Sequence, residues 1–131
     1  MKRMVSVWVV LVLMVAACAT ASLPPPRALQ PGDLKILAGR WEGSGRTRQG
    51  RPIAATTWDV REDGTVVVNS GGRIADARLS IRDGKVVLDG AFSDAVLTLH
   101  EGAGRRVLRG TAQFRGAGGS GEADVELTQV R

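Results

Sequence analysis

Beyond Arg40 the chain is cut into short runs by turn residues: Gln49-Gly50-Arg51-Pro52, Asp63-Gly64, Ser70-Gly71-Gly72, Asp83-Gly84, Gly102-Ala103-Gly104 and the stretch Gly116 to Gly121. The runs between them alternate apolar with polar residues or are β-branched, and none carries helical periodicity, which is the pattern of antiparallel strands. Eight strands are expected, over 40–48, 53–61, 65–69, 73–82, 85–89, 94–101, 105–115 and 122–130. Asp83-Gly84 is a strong two-residue hairpin signal. Alternation also assigns faces. Ala77, Leu79 and Ile81 oppose Asp76, Arg78, Ser80 and Arg82; Leu108, Gly110, Ala112 and Phe114 oppose Arg109, Thr111 and Gln113; Ala123, Val125 and Leu127 oppose Asp124, Glu126 and Thr128. One face of the sheet is apolar throughout. Eight strands joined by tight turns most simply close into an up-and-down antiparallel barrel, because closure removes both exposed edges; a two-sheet β-sandwich is the alternative. Composition agrees with an all-β fold: 44% hydrophobic residues exclude wholesale disorder, and 17 Gly without a three-residue period exclude collagen.

Upstream of the strands the chain has a different character. Lys2 and Arg3 precede an uncharged apolar segment over 4–17, too short to cross a bilayer and bounded by small residues, which reads as the apolar region of an export signal. It ends in Val15-Ala16-Ala17-Cys18, which resembles the lipobox of bacterial lipoproteins. The resemblance implies cleavage before Cys18, a diacylglyceryl thioether on its sulfur and an acyl chain on the freed amine, together a stable anchor. Ala19 after the cysteine, in place of the usual retention residue Asp, implies sorting to the outer membrane, with the protein facing the periplasm. Alternatively, cleavage after Ala19-Thr20-Ala21 would release a soluble protein. Cys18 is the one cysteine, so no disulfide within the chain is possible.

Residues 1–17 are thus expected to be a signal, 18–30 a lipidated cysteine with a Pro-rich tether, and 31–131 the barrel. Pro24-Pro25-Pro26 make the tether extended, about 3.1 Å per residue. Pro31-Gly32-Asp33 before Leu34, Ile36 and Leu37 suggests one short helical turn capped by Asp33 and ended by Gly39. Cleavage removes Lys2 and Arg3, lowering the formal net charge from +5 to +3. That small excess, interleaved acids and an exported location speak against a nucleic-acid partner.

Gly39-Arg40-Trp41 opens the first strand directly after the helical turn and leads into the eight-stranded meander, a combination that resembles the lipocalin, or wider calycin, pattern. In that family the tryptophan packs across the closed end of the barrel beneath a basic side chain. The resemblance implies that role for Trp41, with Arg131 or Arg115 as the cover through cation–π stacking.

Catalytic chemistry finds little footing. His100, the one histidine, sits at the polar parity of its strand, and reads as a surface imidazole. Gly116-Ala117-Gly118-Gly119-Ser120-Gly121 has the form G-x-G-x-x-G but lacks a following helix, so it reads as a hairpin loop. Ser44 lacks a nucleophile-elbow frame. Glu42, Asp59, Glu62 and Asp63 read as ordinary strand and turn carboxylates. Arg46, Arg48 and Arg51, with Arg105, Arg106 and Arg109, read as solvated rather than anion-binding groups. The aromatics beyond the signal, Trp41, Trp58, Phe92 and Phe114, are few for a sugar or nucleobase platform. The expectation is therefore a non-enzymatic binding module: no cofactor or metal, the membrane as partner through Cys18, and an envelope protein contacted by the loops of a packed barrel. The alternative is a lipocalin-like carrier of a small apolar ligand, since eight strands suffice to enclose either side chains or one small molecule.

Overall fold

The computed structural model describes residues 23–116 and 119–130; Cys18, the signal segment and Arg131 lie outside the described residues. A two-residue strand β1 (Pro26–Arg27) and a 3₁₀-helix (Pro31–Leu37) precede β2 (Gly39–Thr47), β3 (Thr56–Val60), β4 (Thr65–Ser70), β5 (Arg73–Arg82), β6 (Lys85–Gly90), β7 (Ser93–Gly102), β8 (Arg105–Gly116) and β9 (Gly119–Val130). Strands β2 to β9 pair antiparallel with their sequence neighbours, and β9 returns to pair with β2, closing an eight-stranded barrel. The sandwich alternative is thereby excluded. Three of the hairpins turn on left-handed pairs, Gly71-Gly72, Asp83-Gly84 and Ala103-Gly104, whose positive φ at both positions matches the twist of the strands they join.

Two segments differ from expectation. Ile53 to Ala55 stay out of the sheet because Pro52, which has no N–H to donate, makes a lone bridge to Arg46, and only Ile53 then bonds back, to Gly45 O at 3.0 Å. The strand expected at 53–61 therefore begins at Thr56. Conversely, the glycine-rich hairpin is mostly strand: Gly116 pairs with Gly119, and β9 begins there rather than at Glu122.

Packing against the barrel extends back to Pro24, within the Pro-rich segment. Strand β6 pairs only with the first part of β7, so the last residues of β7 would present an open edge; β1 fills it, with Pro26 opposite His100 and Arg27 opposite Leu99. Prolines suit this edge because they serve here as acceptors: Glu101 N donates to Pro25 O at 3.2 Å and His100 Nδ1 to Pro24 O at 2.9 Å. His100 is thus a clasp for the N-terminal segment rather than a purely solvated imidazole. Leu29, only 3% exposed, reaches the core, and its N–H bonds Gly84 O.

One end of the barrel is sealed. The 3₁₀-helix is capped by Gln30, whose N–H donates to Asp33 Oδ2 at 2.8 Å, so Asp33 closes the first turn from inside the helix rather than preceding it. The helix lays Leu34 against Gly64 and buries Leu37 completely. Trp41, also fully buried, donates its indole N–H to Leu37 O at 2.8 Å and lies opposite Trp58 on β3. Leu97, Leu99 and Leu108 are fully buried in the same interior cluster.

Candidate functional site

Interior packing is uneven along the barrel axis. The half nearest the 3₁₀-helix is filled by Trp41, Leu79, Leu97, Leu99 and Leu108, whereas the opposite half encloses a cavity of about 210 Å³. Its walls are Trp58 on β3, Val68 on β4, Ala77 on β5, Leu88 on β6, Ala112 on β8 and Leu127 on β9, all at inward-facing positions. Alanines create the space: Ala75, Ala77, Ala95 and Ala112 stand where larger side chains would meet across the barrel. Gly110 shares their inward parity but does something else. A Cβ there would sit 2.8 Å from Leu97 Cα and closer still to Val96 O, so its smallness serves the close approach of β7 and β8.

The cavity opens at the end formed by the β4–β5 and β6–β7 turns. Arg73 stands at this mouth with its guanidinium carbon 4.6 Å from the centre of the Phe92 ring, and Phe92 itself is 44% exposed. Arg115 also lines the mouth and is already engaged: it pairs with Asp94, donates through Nη2 to Gly90 O at 2.7 Å, and its backbone N–H donates to Phe92 O at 2.8 Å. These contacts fasten the short loop that carries Phe92. The Arg115 hydrogen bond holds the Asp94 carboxyl below the usual carboxylate range. Phe114 and Ser93, paired across β7 and β8, complete that side of the rim.

Of the two residues expected to cover Trp41 at the sealed end, Arg115 alone falls among the described residues. Arg115 lies at the opposite, open end, and Arg131 is outside the described residues. Among the described residues, Arg106 is a basic group that does reach this end. Its Nη1 donates to Ile36 O and to Gln129 Oε1, both at 3.3 Å, while Gln129 Nε2 donates to Ala38 O at 3.0 Å. Together Arg106 and Gln129 hold the end of the 3₁₀-helix over Trp41. Glu101 steadies them, accepting from Arg106 Nε at 2.6 Å and Arg27 Nη1 at 2.8 Å, and the bond from Arg106 lowers its pKa below the ordinary glutamate value. The sequence held a signal for both residues: Arg106 has the parity of Leu108, and Gln129 that of Leu127. Polar residues on the inward parity at a strand end cap a barrel.

No protein-family model, no curated protein and no solved structure matches this chain.

The remaining candidates scatter. Ser44 is exposed on β2 opposite Glu126. Glu42 pairs with Arg40 at 3.2 Å, and Asp63 accepts from Thr65 N at 2.9 Å in the β3–β4 turn, where the Thr65 backbone hydrogen bond lowers its pKa. Asp59 lies across from Arg40. Arg48 pairs with Glu122 at 2.9 Å, and Arg46 donates to Gly50 O at 3.2 Å. Among the described residues, no three His, Cys, Asp or Glu side chains gather as metal ligands would. The arrangement that stands out is a largely apolar interior chamber with a polar, aromatic rim, which is the form of a small-molecule binding site.

Proposed function

We propose that this chain is an exported, lipid-anchored barrel that binds one small, largely apolar molecule in the chamber beneath Arg73 and Phe92. The observation that carries the reading is the half-hollow interior: about 210 Å³ of space walled by Trp58, Val68, Leu88, Ala112 and Leu127, with Arg73 and Phe92 at its mouth. An apolar chamber of about 150 Å³ accepts a molecule the size of benzene, so this one suits a single substituted ring or a short acyl chain. Affinity would come from burying that apolar surface, at about 25 cal/mol per Å² before the costs of association. Among the two binding modes the sequence allows, the chamber favours a carrier of the lipocalin type over a packed scaffold acting through its loops. The Cys18 anchor, outer-membrane sorting and a periplasm-facing barrel complete the proposal on the strength of Val15-Ala16-Ala17-Cys18 and Ala19.

The two tryptophans of the barrel make the test internal. Trp58 lines the chamber and Trp41 is sealed beyond it. In a Trp41→Phe background, titration with small apolar ligands should shift the Trp58 emission saturably to the blue, and ligand at about 100 times its Kd should add about 2.7 kcal/mol of stability. Emission and melting temperature indifferent to every ligand tried would return the barrel to the scaffold reading. For the anchor, the intact mass of membrane-extracted protein should show the diacylglyceryl group on Cys18; an unmodified chain starting at Ser22 would sink it.

A further inference from the structure

We propose that the ligand is an amphiphile with a single anionic head, its apolar part in the chamber and its head on the Arg73 guanidinium. The inference rests on the binding reading above and adds the class of ligand. Two cations line the mouth, and the structure treats them differently. Arg115 is neutralised by Asp94 and spends its remaining contacts on Gly90 O, so its role is to hold the Phe92 loop. Arg73 has no carboxylate partner among the described residues; its guanidinium rests on the Phe92 ring. Asp76, the nearest acid along β5, also borders the chamber, but it stands on the outward-facing parity of the strand and forms no ion pair with Arg73, which shares the inward parity of Ala75 and Ala77.

A guanidinium stacked on an aromatic face keeps its N–H edge free, and that edge matches the two oxygens of a carboxylate or phosphate. The stacking also fixes its position before a ligand arrives, so less side-chain freedom is lost on binding. Directly beneath it the walls turn apolar, with Ala75, Ala77 and Leu88. One unneutralised cation over an apolar chamber selects a molecule with one charged end. A wholly apolar ligand would leave the charge unused, and a ligand charged along its length would have to be desolvated against alanine and leucine.

Octanoate and 1-octanol share a chain and differ in the head, so the experiment compares them by calorimetric titration of the full-length protein in lipid nanodiscs, with protein-free nanodiscs as reference. Octanoate is expected to bind about tenfold more tightly than 1-octanol at pH 7 and low salt. Arg73→Gln should abolish that preference while leaving 1-octanol affinity within about twofold, and Arg73→Lys should restore part of it. Octyl phosphate extends the comparison: binding tighter than octanoate assigns a phosphate head, weaker binding a carboxylate, and either supports an anionic head if it exceeds 1-octanol. Equal binding of octanoate and 1-octanol by the unaltered protein, or a preference that survives Arg73→Gln, overturns the head assignment and leaves the binding reading standing. Binding of none of the three overturns both.

Discussion

Ala103 occupies a backbone conformation that an L-residue adopts at a cost. Its φ of +49° is the left-handed value required at the first position of the β7–β8 turn, and the equivalent position of the β5–β6 turn holds Asp83 at +52°. Aspartate and asparagine tolerate this region; alanine offers nothing to offset the crowding of its Cβ. Ala103→Asn should therefore stabilise the barrel by about 0.5–1 kcal/mol, read as a rise in thermal midpoint, and an unchanged or lower midpoint would contradict the turn assignment. Glu101 is the residue through which acid should be felt. The Arg106 hydrogen bond depresses its folded-state pKa, so its contribution is complete above the unfolded carboxylate value of about 4.3 and is lost as pH falls through the folded one. Glu101→Gln should lower stability at neutral pH, where Arg27 and Arg106 lose their partner, and its deficit relative to the unaltered protein should shrink below about pH 4. Asp63 and Asp94, both lowered as well, keep some acid sensitivity in the variant, so its slope should be shallower rather than flat. A deficit that is constant from pH 7 to pH 3 would remove Glu101 from the account.

At the scale of elements, two of the barrel's close approaches differ in their sequence signatures. The first is β1 and the residues after it, which cover the part of β7 that β6 leaves open and insert Leu29 into the core. Leu29→Ala should cost about 2–4 kcal/mol in denaturant unfolding although the residue precedes the first long strand; a cost under half that would place 24–29 outside the cooperative unit. The second is the crossing of β7 and β8 at Gly110. Gly110→Ala should destabilise by about 1–3 kcal/mol because backbone atoms stand where the methyl would go, whereas Gly121→Ala, on β9 with open space around it, should be close to neutral. Equal effects of the two substitutions would show that Gly110 is not pinned by its neighbours. The sequence displayed these elements unequally, for a physical reason. β5 runs over Arg73–Arg82 as its alternation and flanking turns indicate, because those signals are local. The pairing of Pro26 with His100 is not local. It follows from β6 being shorter than β7, and a run of three prolines viewed alone indicates only an extended segment.

For the whole molecule, the inward residues were legible from parity, but how much room they leave was not. Gly110 and Ala112 look alike as small inward residues; one is consumed by the backbone of β7 and the other walls the chamber, a distinction set by the radius and coiling of the closed sheet. The same global geometry decides which way the chamber would face on a membrane. The chain enters the barrel at Pro24, beside Gly102 at the sealed end, and the mouth lies at the other end of strands up to 12 residues long. From a lipidated Cys18 to Pro24 there are six Cα steps, which reach about 21 Å at most. The proposed anchor would therefore hold the sealed end toward the bilayer and turn Arg73 and Phe92 away from it, where a ligand or a partner in the periplasm could reach them. Fluorophores on single cysteines report this directly, because Cys18 is consumed by lipid. A label at exposed Lys35 on the 3₁₀-helix should transfer energy to acceptors in the headgroup layer more efficiently than one at exposed Arg51 in the β2–β3 connection near the mouth. The strands rise about 3.3 Å per residue and tilt by about 40° in such barrels, which separates the two sites by some tens of ångströms, a distance such transfer resolves. Stronger transfer from Arg51 than from Lys35 would invert the orientation and place the mouth on the lipid, making the membrane itself the source of the amphiphile.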